Sequence, residues 1–130
     1  PVYDDYAHHP TEIKAAIAGA REKYPDKKLT IVFQPHTYTR TAELFDNFVE
    51  ALAKADRVLM VPIYAARETN ESGVSSEQVI EKITESGTSA EHFHTLEAAA
   101  LNIKESVSNN DVVVVMGAGD VTKIASNLTN

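Results

Sequence analysis

Two short segments concentrate the side chains able to do chemistry. The first reads Asp4-Asp5-Tyr6-Ala7-His8-His9-Pro10-Thr11-Glu12. Carboxylates accept hydrogen bonds from hydroxyls, and imidazoles exchange protons near neutrality. A surface turn needs nothing so dense. The same residues also fit a plain helix start, with solvated acids and a histidine serving as the cap. Adjacent histidines suggest a metal only when further ligands follow at a recognised spacing, and none does here, so no metal is expected within this domain. The second segment reads Gln34-Pro35-His36-Thr37-Tyr38-Thr39-Arg40-Thr41. A guanidinium grips a carboxylate through two parallel bonds, and His36 and the N-terminus of a following helix add donors suited to an anion. A turn whose Arg40 merely pairs with a surface acid would look the same, and such a pair is worth little.

The remaining motifs carry less chemistry. Gly117-Ala118-Gly119 follows an apolar run, but it lacks the third glycine and downstream acid of a dinucleotide fingerprint, so packing is the favoured reading. Ile63-Tyr64-Ala65-Ala66-Arg67-Glu68, followed by Ser72-Gly73-Val74-Ser75-Ser76, reads either as a partner-domain contact or as a solvated loop before a capped helix. His92 and His94 are expected at the surface without functional neighbours. The chain has no GxxxxGK[ST] phosphate loop and no evident nucleophile–base arrangement.

Bulk properties narrow the classes of partner. The 130 residues suit one domain, and the net charge of −7, from 19 acids against 12 lysines and arginines, disfavours nucleic acid and anionic membranes. An anionic ligand must therefore be met by a local cluster of donors. The absence of cysteine excludes disulfides, thiolate metal sites and a thiol nucleophile. No apolar run approaches the ~20 residues of a membrane span, and there is no signal-peptide pattern at the start, so a cytoplasmic location is expected. The strand-like opening at Pro1 to Tyr6 suggests an excised piece of a longer chain, although a start processed at Pro1 would read alike.

Alternating periodicities indicate what must position these groups. Ile13, Ala16, Ile17, Ala20 and Tyr24 form one helical stripe behind Pro10. Leu29 to Phe33, Val58 to Val61 and Asp111 to Met116 are β-branched or apolar runs of the kind covered on both faces. A polar loop is expected from Gln34 to Arg40, then a helix bearing Leu44, Phe45, Phe48, Val49 and Leu52. A third helix capped by Ser75 or Ser76 carries Val79, Ile80 and Ile83. A weak strand near His92 to Thr95, a helix over Leu96 to Val107 and a short helix after Asp120 complete the reading. Strands separated by helices of this length predict an α/β chain, a single Rossmann-like domain with a mostly parallel sheet and helices on both faces. Its ligands would meet the loops beyond the carboxyl ends of the strands.

Together with Met116-Gly117-Ala118-Gly119-Asp120, the two chemistry-bearing segments resemble the C-terminal, third domain of the Mur ligase family over residues 1–130. The resemblance is to the branch that joins L-alanine to UDP-N-acetylmuramate in peptidoglycan synthesis. It implies that ATP, with Mg2+, phosphorylates the lactyl carboxylate, and that the amine of L-alanine attacks the acyl phosphate. The central domain of the same parent chain would hold most of the ATP and Mg2+, alongside an N-terminal UDP-binding domain, while this domain presents the amino acid and closes over ATP. The resemblance further implies that Asp5 binds the ATP ribose and that Tyr6, His36 and Arg40 surround the alanine, with Arg40 on its carboxylate. It makes His8 and His36 catalytic, as polar donors or orienters. Many members carry arginine where this chain has Thr37, which leaves any substrate contact by Thr37 open. The domain alone should be folded and inactive.

Two alternatives remain. The recycling ligase that attaches a tripeptide to UDP-N-acetylmuramate shares the Asp-aromatic-Ala-His-His-Pro-Thr pattern, but the Gln34 to Thr41 segment fits the alanine-adding branch better. A non-catalytic Rossmann-like binding module would instead bind a nucleotide cofactor tightly on its own.

Overall fold

The fold follows from how the apolar runs cover one another. The computed structural model describes residues 2–5, 9–108 and 110–117. Its elements in chain order are β1 (Val2–Asp5), α1 (Pro10–Lys23), β2 (Lys28–Phe33), α2 (Tyr38–Glu43), α3 (Phe45–Leu52), β3 (Arg57–Met60), α4 (Ser76–Glu85), β4 (Ser89–His92), α5 (Leu96–Ser106) and β5 (Asp111–Met116). The helix expected after Asp120 lies outside the described residues.

The five strands form one sheet in the order β1-β5-β2-β3-β4, and every pairing is parallel. Side chains alternate across the sheet. Ile31, Phe33, Val58, Met60, Val112 and Val114 meet α1, α3 and α4 on one face. Val32, Leu59, Val113 and Val115 meet Ala99 and Ile103 of α5 on the other. The near-universal right hand of parallel crossovers accounts for this division. The steps from β1 to β2, β3 and β4 all run the same way along the sheet, and their helices share a face. The step from β4 to β5 runs backwards, so α5 must lie opposite. The expected α/β sheet with helices on both faces is what forms, and it buries β2 and β5 completely beyond their first residues.

Local chemistry sets the helix starts. His9 caps α1, its Nδ1 accepting from the Thr11 N–H at 3.2 Å, while Glu12 Oε1 accepts from the His9 N–H at 3.1 Å and Pro10 fills the first turn. Of the two candidate serines, Ser75 caps α4, paired reciprocally with Gln78. Thr95 caps α5 through the Ala98 N–H at 3.0 Å. Between elements, Asp56 Oδ2 accepts from the Leu29 N–H at 2.7 Å and from Arg21 at 2.8 Å, fastening α1 to the turn before β3. On the β1 strand, Tyr3 packs against Tyr24 at the end of α1 and carries Lys23 5.1 Å from its ring centroid.

Two expectations need correction. The single helix expected through Leu44 to Leu52 starts earlier and is broken. α2 begins at Tyr38, inside the expected loop, and Leu44 leaves helical geometry at φ −110°, ψ 20° before α3 begins. The weak strand forms at Ser89–His92 rather than His92 to Thr95, because its register with β3 sets Met60 opposite His92 and Thr95 is needed as the α5 cap.

Candidate functional site

Parallel pairing aligns the carboxyl ends of the strands. Asp5 stands opposite Met116, Met116 opposite Phe33, Phe33 opposite Met60 and Met60 opposite His92. Strands in a sheet lie ~4.8 Å apart, so Asp5 and Phe33 are separated by about 10 Å with β5 between them. The junction after β1 and the junction after β2 therefore open on the same edge, although the chain between them passes through α1. Tyr6 and His8 lie outside the described residues, and for Asp5 the position in β1 is what the fold provides.

The β2–α2 junction is the most constrained part of this edge. The Gln34 N–H extends the ladder by donating to the Met116 carbonyl at 3.1 Å, and Gln34 Nε2 donates to the Pro62 carbonyl at 3.2 Å. His36 forms a parallel bridge with Tyr64. The Tyr64 N–H donates to the Pro35 carbonyl and the Thr37 N–H to the Tyr64 carbonyl, each at 2.8 Å. The two rings stack at 5.6 Å between centroids and 23° between planes, which fixes the face that His36 presents.

Thr37 carries the strain of this junction. Its φ of 64° with ψ 148° belongs to a region that residues with a Cβ rarely occupy. The surroundings over-determine it. The Thr37 carbonyl accepts from the Thr41 N–H at 3.3 Å and from its hydroxyl at 2.8 Å, and Thr37 Oγ1 accepts from the Arg40 N–H at 3.3 Å. Thr37 is thus the N-cap of α2. It turns the chain sharply enough to bring His36 and Arg40 onto one bend.

Arg40 is partly buried, and its Nη1 is fully buried without a hydrogen-bond partner among the described residues. Buried guanidinium donors are normally satisfied, and this one lies at the carboxyl edge of a parallel sheet, the edge where folds of this class meet their ligands.

The free N-terminus expected at the second helix is already occupied. The Tyr38 and Thr39 N–H groups donate to Glu68 Oε1 at 2.7 and 3.1 Å, and the Thr39 hydroxyl donates to Oε2 at 2.6 Å. The Thr39 hydroxyl and N–H bonds chiefly hold the Glu68 carboxyl below its ordinary range, with the Tyr38 N–H and nearby His36 adding to the effect against a desolvation that raises it. In sequence Glu68 was legible only as part of a loop that either contacts a partner domain or stays solvated. Its helix partner lies about thirty residues away, so no local pattern announces it.

His92, expected to lack neighbours, has them. Its Nε2 lies 2.7 Å from Ser76 Oγ, and its ring meets His94 edge-on at 5.3 Å. Both line a cavity of about 190 Å³ with Tyr38, Ile63, Ser76 and Glu77. Burial holds the His92 imidazole below its ordinary value, with Glu77 opposing and His94 assisting. A lowered folded value means that the unfolded chain takes up the proton first. This contribution to stability is complete above the ordinary imidazole value and is lost as pH falls through it. Urea midpoints are therefore expected to drop between about pH 7.5 and pH 5.5, and to drop less in His92→Gln. Identical slopes for the two proteins would remove His92 from the account.

Among the described residues no group of three or more His, Cys, Asp or Glu side chains is placed to hold a metal ion, and no helix is long and apolar enough to cross a membrane. Gly117 has φ 149°, a backbone that glycine favours, where the Met116 carbonyl turns to meet Gln34.

Residues 1–119 match the family described as Mur ligase, glutamate ligase domain, and the chain belongs to it. Among curated relatives, the UDP-N-acetylmuramate–L-alanine ligase of Agathobacter rectalis is 42% identical over 98% of this chain. That match spans 28% of the relative, so the chain is under a third as long as the curated relatives it matches. The solved UDP-N-acetylmuramate–alanine ligase of Thermotoga maritima superposes with a TM-score of 0.76 at 29% identity, covering 98% of this chain and 26% of that one. The murein peptide ligase of Psychrobacter arcticus superposes with a TM-score of 0.79 at 23% identity, over 98% of this chain and 26% of its own, which speaks for the fold alone.

Proposed function

We propose that this chain, residues 1–130, is the third domain of an enzyme that joins L-alanine to UDP-N-acetylmuramate in peptidoglycan synthesis, and that it presents the amino acid. The observation that carries the reading is the buried, unsatisfied Arg40 Nη1 at the carboxyl edge of the sheet. A carboxylate supplies the paired acceptors that a guanidinium fork needs, and alanine offers one beside its reacting amine. The name shared by relatives at 40–44% identity supports that choice of amino acid.

In this reading His36, held by Tyr64, orients the amine or the phosphate it attacks. Asp5, aligned on the same edge, holds the ATP ribose, and Tyr6 and His8 complete the surroundings of the alanine and the acyl phosphate. Thr37 serves through its backbone turn. ATP and Mg2+ are bound mainly by the central domain of the parent chain, with the N-terminal domain holding the UDP group, because no phosphate loop occurs in these residues. Closure of the domain over the nucleotide would orient the reactants and keep water from a hydrolysable intermediate. The enzyme would act in the cytoplasm, and the domain alone would bind its ligands weakly and turn nothing over.

The test is phosphate release by the parent protein, with ATP and UDP-N-acetylmuramate present and either L-alanine or free tripeptide added. Release that depends on alanine is expected. Efficient use of tripeptide without alanine dependence would transfer the domain to the recycling enzyme, and tight binding of a nicotinamide dinucleotide by the isolated chain would make it a separate module.

A further inference from the structure

We infer that Glu68 is a positioning residue for the amino-acid site: its carboxylate clamps the first turn of α2 and so holds Arg40 in place. Three donors of that turn converge on it, namely the Tyr38 N–H at 2.7 Å, the Thr39 N–H at 3.1 Å and the Thr39 hydroxyl at 2.6 Å. α2 is too short to be stable by itself, since isolated helices below ~12 residues are marginal in water. It also starts from Thr37, whose φ of 64° opposes the turn. Something outside the helix must hold it.

The segment that follows β3 does so at two points. Tyr64 accepts from the Thr37 N–H through its carbonyl and stacks on His36, ahead of the bend. Glu68 binds the other side, one and two residues before Arg40. Glu68 is placed for this by its own turn, in which its N–H donates to the Ala65 carbonyl at 3.0 Å and Ala66 adopts a positive φ of 57°. Arg40 reaches its buried position only while the bend is kept, which makes Glu68 act on the ligand through Arg40 and not by contact. The substrate side of this inference rests on the function proposed above. The clamp itself does not.

The experiment compares Glu68→Ala and Glu68→Gln with the unaltered protein by two readouts. In this chain, amide exchange at Tyr38 and Thr39 is expected to be at least about tenfold faster in Glu68→Ala, as befits lost charge-assisted bonds. The β5 amides should keep their protection and the Arg40 Nε–H resonance should broaden. Glu68→Gln, which keeps one carbonyl acceptor, should fall between. In the parent enzyme, KM for L-alanine should rise about tenfold while kcat and the KM for ATP stay within about twofold, the pattern of lost uniform binding. Unchanged exchange at Tyr38 and Thr39 would overturn the clamp. Faster exchange spread across β5, or an unchanged KM for alanine in an alanine-dependent enzyme, would overturn the positioning role. An enzyme without alanine dependence would refute the proposed function, and the exchange and Arg40 resonance would still decide the clamp.

Discussion

Replacing Phe33 by alanine is expected to lower the stability of this domain by about 3–5 kcal/mol, the usual range for emptying a buried aromatic site. Phe33 is fully buried, and its ring lies 5.6 Å from that of Phe48 at 39°. It ends β2 in register with Met60 on one side and Met116 on the other. A void there removes packing from α3 and from two strand neighbours at once, and close-packed interiors relax only partly. Domains of this kind are stable by roughly 5–15 kcal/mol, so the loss takes a large share of the total. Phe33 also immediately precedes Gln34 to Thr37. Partial relaxation would shift the strained bend before it unfolded anything, and the site should loosen at temperatures where the fold persists. Urea denaturation followed by circular dichroism reads the first effect, and amide exchange at Thr37 to Arg40 reads the second. A destabilisation under about 1 kcal/mol would mean that the site collapses far better than its packing implies.

Arg40→Met should separate function from stability. On the function proposed above, in which Arg40 holds the amino-acid carboxylate, losing that charge-assisted bond is expected to cost about 1.5–3 kcal/mol, or roughly ten- to a hundredfold in kcat/KM for alanine in the parent enzyme. The folded domain should not suffer. A buried donor without a partner is itself unfavourable, so methionine of comparable length should leave the melting temperature unchanged or raise it. The opposite pattern, a less stable domain with unaltered alanine kinetics, would show Arg40 to be structural and would end its assignment to the substrate. This pairing of poorer activity with equal or better stability is what a preorganised binding group predicts and a merely supporting one does not.

Much of the architecture was legible along the chain because it depends on neighbouring residues. The runs at Leu29 to Phe33 and Val112 to Val115 read as strands covered on both faces, and the Ile13–Ile17 stripe as a helix turning one side to a core, and the structure has them so. His9 and Ser75 cap helices through bonds spanning two or three residues, which leaves a local signature, whereas the Thr95 cap was read as the end of a strand. The parallel sheet, and the prominence of the β2–α2 bend within it, followed from the same local patterns.

Tertiary structure decided what those patterns could not carry. Inserting β5 between β1 and β2 depends on a backward crossover through α5, and only that insertion sets Asp5, Met116 and Phe33 in one row. The break at Leu44, the contact of His92 with Ser76, the burial of Arg40 Nη1 and the capture of α2 by Glu68 all join residues through the packed fold. Hydrogen bonds of this kind are selected by distance in space, and a carboxylate thirty positions from its donors looks in sequence like any other solvated acid. Residue types and their periods therefore determined the elements and the chemistry on offer, and the folded arrangement alone determined which of those groups are held, which are buried and which lack a partner among the described residues.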